Sequence, residues 1–559
     1  MKKCLSLLLL LMPFLKLNAQ SYTKLTDSAL HIMWEAKDST GYRNSLNLYE
    51  KAFKLYPAEV NVLGLYKASV ISAELMEYDK AFNYLNELIN QNSELETTWN
   101  YLTFTYPQNE YKNLFNDKRW EVTFEKAEKL KRGFYDNLKL RQKEFQLNGI
   151  SKIADNQLID GKQLYHKITS FNDFKSKKYK NYSIMFNLAE GVNTSYFIDL
   201  PENYNPKKKY PILFFLHGAV QNNRLTDYQM ASSVLEDWNR YYTKYAAINE
   251  VIMVYPKASK KYNWMGPDDG FFMIPAMLKE IKQSINVDDD RVFITGHSNG
   301  ATGSFSYLMK QQSPFAGFYG FNTQPKVRTG GTFIRNILNR SYFNVSTDED
   351  YYYPPDANDS LNVIMKKMGA DYQDHRYNGW PHWFPQFDES EPAYPILFKD
   401  LVAKKRNPFQ KNLYWACDDL KYGKADWIEI TQMDTLRKPA DWHKNINFDI
   451  LKLVNYDQKR DTVITTDTLI KAFNFPRKSA AVKAKFDNNQ FHLQTSAVKQ
   501  LKIFISPEMV DMSKPVSVYV NGVKKMEKKV SYNKTFMLEN FNQTFDRKAV
   551  WVDYVTLEI

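Results

Sequence analysis

Gly296-His297-Ser298-Asn299-Gly300 follows the apolar run Val292-Phe293-Ile294-Thr295 and leads into a helical stretch through Leu308-Met309-Lys310. A serine on a sharp strand-to-helix turn has its hydroxyl pushed out of the sheet, and glycines two residues to either side let strand and helix pass close together. The hydroxyl is a poor nucleophile at neutral pH, so Ser298 in this role needs a base to take its proton. Upstream, residues 211–216 form a second apolar run that ends in His217-Gly218-Ala219-Val220. Acyl transfer builds negative charge on a carbonyl oxygen, and two backbone N–H groups stabilise it, one following the nucleophile and one from a loop of this kind. Asn299 and Ala219 are the candidates for that oxyanion hole. His217 reads as support for the loop rather than as the base, because the main chain after the strand does the work there.

Short β-rich runs at 182–186, 195–200, 212–216, 251–255, 292–295 and 342–345 alternate with helical stretches, which predicts a mostly parallel sheet covered by helices on both faces. Before it, between residue 21 and about 146, apolar residues recur at helical spacing, as in Leu46, Tyr49, Ala52, Phe53 and again Ala81, Leu85, Leu88. After it, runs around Tyr414 and at 427–430, 448–454, 462–465, 481–486, 501–505 and 516–520 read as an all-β sandwich without intervening helices. Asn521-Gly522 is a hairpin turn signal at the end of the last of them.

Leu216-His217-Gly218, Val254-Tyr255-Pro256 and Asn286-Val287-Asp288, leading into Arg291 through Gly300, resemble the α/β-hydrolases, and among them esterases similar to feruloyl esterases and polyhydroxybutyrate depolymerases. The resemblance covers about residues 182–400 and implies the chain order Ser, acid, His. It implies Asp350 as the acid, because Asp350 stands four residues before Pro354 after the run 341–347. Thr347 replaces a glycine usual in that segment, so Asp348 stays open as an alternative. It implies His382 as the base, on the Gly-containing loop Asn378-Gly379-Trp380-Pro381-His382-Trp383-Phe384 after an expected last strand at 371–377. His375 falls within that strand, and His443 and His492 lie in the C-terminal region. Ser298, Asp350 and His382 would then work through an acyl-enzyme without metal or cofactor.

Two further resemblances frame this region. At an offset of 36, Ser45 aligns with Ala81, Tyr49 with Leu85 and Ala52 with Leu88, a pattern similar to the tetratricopeptide repeat, though its Trp and Gly signals are missing. From Asn407-Pro408-Phe409 through Trp427-Ile428-Glu429-Ile430 to Lys514-Pro515-Val516, the C-terminal third resembles the β-sandwich appended to certain exported hydrolases. The expected organisation is multidomain: 1–19 a signal peptide, 20–150 a tetratricopeptide-like helical region, 151–176 a linker, 177–405 the α/β-hydrolase domain and 406–559 the β-sandwich.

Among 559 residues, 75 Lys and Arg stand against 63 Asp and Glu, interleaved along the chain without an arginine-rich stripe, a distribution that speaks against a nucleic-acid partner. Lys2 and Lys3 precede the apolar run 5–15, long enough for a signal h-region and too short to span a bilayer, so export to the periplasm or beyond is expected, with cleavage after Ala19 and no transmembrane segment later. Removal of Cys4 with that leader leaves Cys417 alone, which excludes an internal disulfide. Asp268 and Asp269 read as a turn rather than a metal pair. Tyr262, Trp264, Tyr351 to Tyr353, Trp380 and Trp383 are expected on loops above the sheet, with Trp264 and Trp383 as candidates for contacting substrate. The substrate expected is a small-molecule or polysaccharide-linked ester, and the helical region is a place for a protein partner. A serine peptidase on the same fold and a non-catalytic helical-repeat scaffold are the alternative readings.

Overall fold

The computed structural model describes residues 21–93, 96–147 and 159–559. The expected leader and part of the expected linker lie outside them. The chain divides into two compact units, residues 1–139 and 140–559.

The first unit is helical. Helices Tyr22–Glu35, Ser39–Leu55, Val62–Glu74 and Tyr78–Asn90 follow one another with short connections. Three of them are started by side chains that accept an otherwise orphaned N–H, Ser21 from Lys24, Asp38 from Gly41 and Asn61 from Gly64. All six residues that align at the offset of 36 are buried. Ser45, in the crowded seam, donates its hydroxyl to the Ala29 carbonyl at 2.6 Å. No helix among the described residues is long and apolar enough to cross a membrane.

The second unit is built on an eight-stranded sheet of β1 (Asn181–Ala189), β2 (Val192–Asp199), β3 (Tyr210–Leu216), β4 (Ile252–Pro256), β5 (Val287–Gly296), β6 (Gly317–Phe321), β7 (Ser341–Glu349) and β8 (Tyr372–Pro381). The order is β1-β2-β4-β3-β5-β6-β7-β8; β2 runs antiparallel to β1 and β4, and all other neighbours are parallel. β3 is buried along its whole length, and its side chains divide by parity. Ile212, Phe214 and Leu216 join the core beneath helices Met273–Ser284, Asn299–Lys310 and Pro355–Met368. Leu213 and Phe215 join the opposite core, with Arg240–Ile248 and Ala393–Ala403. Two covered faces are what a parallel sheet requires. The carboxyl ends of β3, β5, β7 and β8 open on one edge, where such sheets place their ligands.

The C-terminal region packs a four-stranded sheet (Lys424–Ala425, Ile428–Met433, Val498–Ile505, Asp553–Glu558) and a five-stranded sheet (Asn412–Cys417, Ala480–Asp487, Gln490–Ser496, Val516–Val520, Val523–Lys528) around one core that holds Trp415, Trp427, Phe491 and Leu501. Asn521 and Gly522 both adopt positive φ, 49° and 86°, and join the last two strands of the larger sheet. Two features depart from expectation. Strands Asp449–Asp457 and Thr462–Lys471 form a separate hairpin, because most of their side chains are exposed and offer no sandwich face. Helix Lys534–Thr544 interrupts the all-β run and packs on helix Gly161–Ser170, which lies in the stretch expected as a linker. The stripe Leu164, Tyr165, Ile168 explains that helix: it needs an apolar partner and finds Met537, Phe541 and Val552. Buried ion pairs join the C-terminal region to the α/β region, with Asp546 on Lys282 at 3.4 Å and Arg547 on Asp289 of β5 at 2.9 Å.

Candidate active site

β5 ends at Gly296, and Ser298 turns the chain into helix Asn299–Lys310 at φ 58° and ψ −122°, a conformation that non-glycine residues rarely hold without reinforcement. The reinforcement is local: the Ser298 N–H donates to the Phe321 carbonyl at 3.1 Å and the Gly300 N–H to the His297 carbonyl at 2.9 Å. The turn also packs against the end of β3. A Cβ on Gly296 would stand 2.5 Å from the Leu216 carbonyl oxygen, and one on Gly300 would overlap it outright. Only glycine leaves this approach open.

Beside the turn runs the loop after β3. A Cβ on Gly218 would sit 3.1 Å from the Ser298 Cβ, and Ala219 is held at φ 52°. The Asn299 side chain accepts the Val220 N–H at 3.1 Å and donates to the Tyr353 hydroxyl at 2.6 Å. The backbone N–H groups of Ala219 and Asn299 donate to no protein group among the described residues, and both residues line the same cavity.

β7 and β8 bring up the other two groups. His382 Nδ1 lies 2.9 and 2.8 Å from the two carboxylate oxygens of Asp350, and both side chains are buried. Asp350 Oδ1 also accepts the N–H groups of Tyr352 and Tyr353, each at 2.9 Å, and Oδ2 accepts from Asn322 Nδ2 at 3.1 Å. Asp348, left open by the sequence, turns away and accepts the Gly379 N–H at 2.7 Å, which braces the loop leading to His382. His375 lies within β8, stacked on Phe343. His443 and His492 contact residues of the C-terminal region, Ser496 and Tyr519.

Ser298, Ala219, Asn299, His382 and Trp383 line one cavity of about 700 Å³. Ser298 and His382 line the same cavity, and the Ser298 hydroxyl makes no hydrogen bond among the described residues, to His382 Nε2 included; that bond forms when substrate closes the site. Trp383 is fixed by its indole N–H on the Tyr351 hydroxyl at 3.1 Å. Trp264 corrects the expectation of a substrate contact. It is fully buried, edge-on to His217 at 4.9 Å, and does not line the cavity, because its indole fills the core below the loop. Trp380 packs on Phe384 and Phe387, and Asp268 is taken up by Lys310 at 2.9 Å.

Two histidines flank the site in a structural capacity. His217 receives the Ala258 N–H on Nε2 at 3.0 Å and places Nδ1 2.7 Å from the Gly218 carbonyl; burial lowers its pKa to about 4. His297 places Nε2 2.8 Å from the His382 carbonyl, and burial, followed by the neighbouring His382, lowers its pKa to about 3. Both are therefore neutral near pH 7. Sequence reasoning missed His297, Asn322 and the cavity residue Trp238. Asn322 follows β6, and only the sheet order that sets β6 beside β7 brings it to Asp350.

No family model and no curated protein matches the chain. Among solved structures it is similar to a thermostable esterase (20% identity, TM-score 0.33, covering 41% of this chain and 64% of that one), to butyrate-bound esterase 2 of the planctomycete Thermogutta terrifontis (13%, 0.33, 40% and 94%) and to a ferulic acid esterase (19%, 0.32, 41% and 99%). The chain thus spans just under two thirds of the length of the first of these.

Proposed function

We propose that this protein is an exported serine hydrolase of the α/β-hydrolase class that cleaves carboxylic esters, with acyl groups on polysaccharides as its natural substrates. The observation that carries the reading is the pairing of His382 with both oxygens of Asp350 in the cavity that also holds the strained Ser298 turn and two undonated N–H groups. The chemistry runs in two halves. Ser298 Oγ attacks the ester carbonyl while His382 Nε2 takes its proton, and the Ala219 and Asn299 N–H groups hold the oxyanion. His382 returns the proton to the departing alcohol, leaving an acyl-serine; water, deprotonated by the same imidazole, then releases the acid and restores Ser298. Asp350 accepts a hydrogen bond from His382 Nδ1–H throughout and stays ionised, which fixes the tautomer and stabilises the imidazolium. Nucleophile, base and electrostatic stabiliser all come from the chain, so the scheme calls on no cofactor.

Export rests on the leader-like residues 1–19, and the tetratricopeptide-like reading of the helical region on the buried pairs at the offset of 36. The test of the catalytic reading is hydrolysis of short-chain aryl esters by the mature chain and its Ser298→Ala variant, with peptide amides in parallel. Ester turnover lost in the variant supports it. Turnover confined to amides moves the assignment to a peptidase, and no turnover by folded protein removes the enzyme reading.

A further inference from the structure

The walls of the catalytic cavity carry no carboxylate. Among the lining residues, only Lys257 bears a fixed charge. It follows β4, and its backbone is pinned on both sides: its N–H donates to the Ser195 carbonyl at 2.9 Å, and its carbonyl accepts the Thr194 hydroxyl at 2.8 Å. The ammonium donates to Asn223 Oδ1 at 3.0 Å and forms no ion pair among the described residues. Among the described residues, the two lysines that are fully buried do have an acid, Lys282 with Asp289 and Lys310 with Asp268. Around Lys257 the wall is apolar or neutral: Phe215, Val234, Trp238, Tyr352 and Trp383 belong to the same cavity.

A half-buried cation without a counter-ion is costly, and that cost is relieved when an anion arrives with the ligand. Burial alone lowers the Lys257 pKa, and no neighbouring acid raises it back. A neutral ester offers this ammonium no counter-charge, so its desolvation goes unrelieved in such a complex.

We propose that Lys257 determines specificity in this cavity and that the ester cleaved carries a carboxylate, which pairs with the Lys257 ammonium while an apolar or ring portion lies against Trp238, Trp383 and Tyr352. The proposal rests on the ester-hydrolase reading above. Lys257 is also tied to the loop of the oxyanion hole, because Asn223, which accepts from its ammonium, donates to the Ala219 carbonyl at 3.0 Å. A bracing role of that kind would act on every ester alike, and this separates the two.

The experiment compares kcat/KM for matched pairs that differ in one charge: 4-acetoxybenzoate against its methyl ester, with the anion on the alcohol half, and the mono-4-nitrophenyl ester of adipate against its methyl-capped diester, with the anion on the acyl half. In the wild-type protein one anionic member should be preferred by about 10- to 100-fold, as a charge-assisted hydrogen bond implies, and the preference should shrink as NaCl is raised. The half that shows it locates the carboxylate. In Lys257→Met the ratio should fall to near one, and Lys257→Arg should restore most of it. A wild-type ratio at or below one in both pairs, or a ratio that survives in Lys257→Met while all esters slow together, overturns the proposal. The salt dependence reads the wild-type protein alone and holds whether or not the variant folds. Turnover of the neutral members keeps the hydrolase reading intact in either case; no turnover of any ester removes that reading and this proposal with it.

Discussion

Asp350 meets His382 Nδ1 with both carboxylate oxygens, at 2.9 and 2.8 Å, while two backbone N–H groups and Asn322 hold the carboxylate from behind. The carboxylate can rotate neither toward water nor away from the imidazole. Asp350→Asn keeps the shape but offers an amide that favours the wrong tautomer, and kcat for aryl esters should fall by about 10⁴-fold. Asp348→Asn weakens only the bond to the Gly379 N–H, and its kcat should fall by no more than about tenfold. Steady-state kinetics of both variants check this, and the reverse ranking would reassign the acid.

The glycines of the turn are not equivalent to other glycines of the chain. Gly300→Ala drives a Cβ into the Leu216 carbonyl, so β3 or the helix must shift, at a cost of about 1–3 kcal/mol or more. Gly133→Ala, on an exposed helix with open space around the new methyl, should instead be neutral or stabilising by up to about 1 kcal/mol. The thermal midpoint should fall in Gly300→Ala and stay level or rise in Gly133→Ala.

His217 and His297 should couple stability to pH. Their folded pKa values, about 4 and about 3, lie below the ordinary 6.5, so between those values the unfolded chain binds protons that the fold refuses. Each contributes no pH dependence above about 6.5 and weakens the fold by about 1.4 kcal/mol per unit as pH drops below it. Asp199, raised to about 6 by burial, acts in the opposite sense, which is why the comparison must be made against a variant. His297→Gln, measured by denaturant unfolding from pH 7 to 4.5, should gain on the wild type as pH falls; a constant difference would contradict the assignment.

Trp264 and Trp383, paired by sequence reasoning, should part company in experiment. Trp264→Ala empties a core site and should cost about 3–5 kcal/mol of stability. Trp383→Ala should leave the thermal midpoint near that of the wild type and raise KM for aromatic esters several-fold, as loss of a stacking wall implies.

Much of the architecture was legible because it follows from periodicity. The apolar runs of β3, β4 and β5 announce a buried parallel sheet, and the 3.6-residue spacing from Leu46 to Leu88 announces helices. Ser298 could be singled out because it stands on a turn between an apolar strand and a helix, whereas Asp350 and His382 were reached through the family resemblance, which left Asp348 open beside Asp350. What escaped was set by neighbours distant in sequence. Trp264 carries no local sign that Gly303 leaves room for it in the core. Asn322 becomes a partner of Asp350 only through strand order, and the hairpin from Asp449 to Lys471 reads like any other strand pair until its exposure is seen. Lys257 is one lysine among many until the cavity around it proves to lack acids.

The most direct test of the central claim is covalent trapping of the nucleophile. The folded protein is treated with a phosphonofluoridate, which reacts with serines activated by an imidazole, and the adduct is located by peptide mass spectrometry. The account predicts one equivalent of label, on Ser298, abolished in His382→Ala and accompanied by loss of ester hydrolysis. Label on another residue, or full hydrolysis by protein that takes none at Ser298, would contradict it.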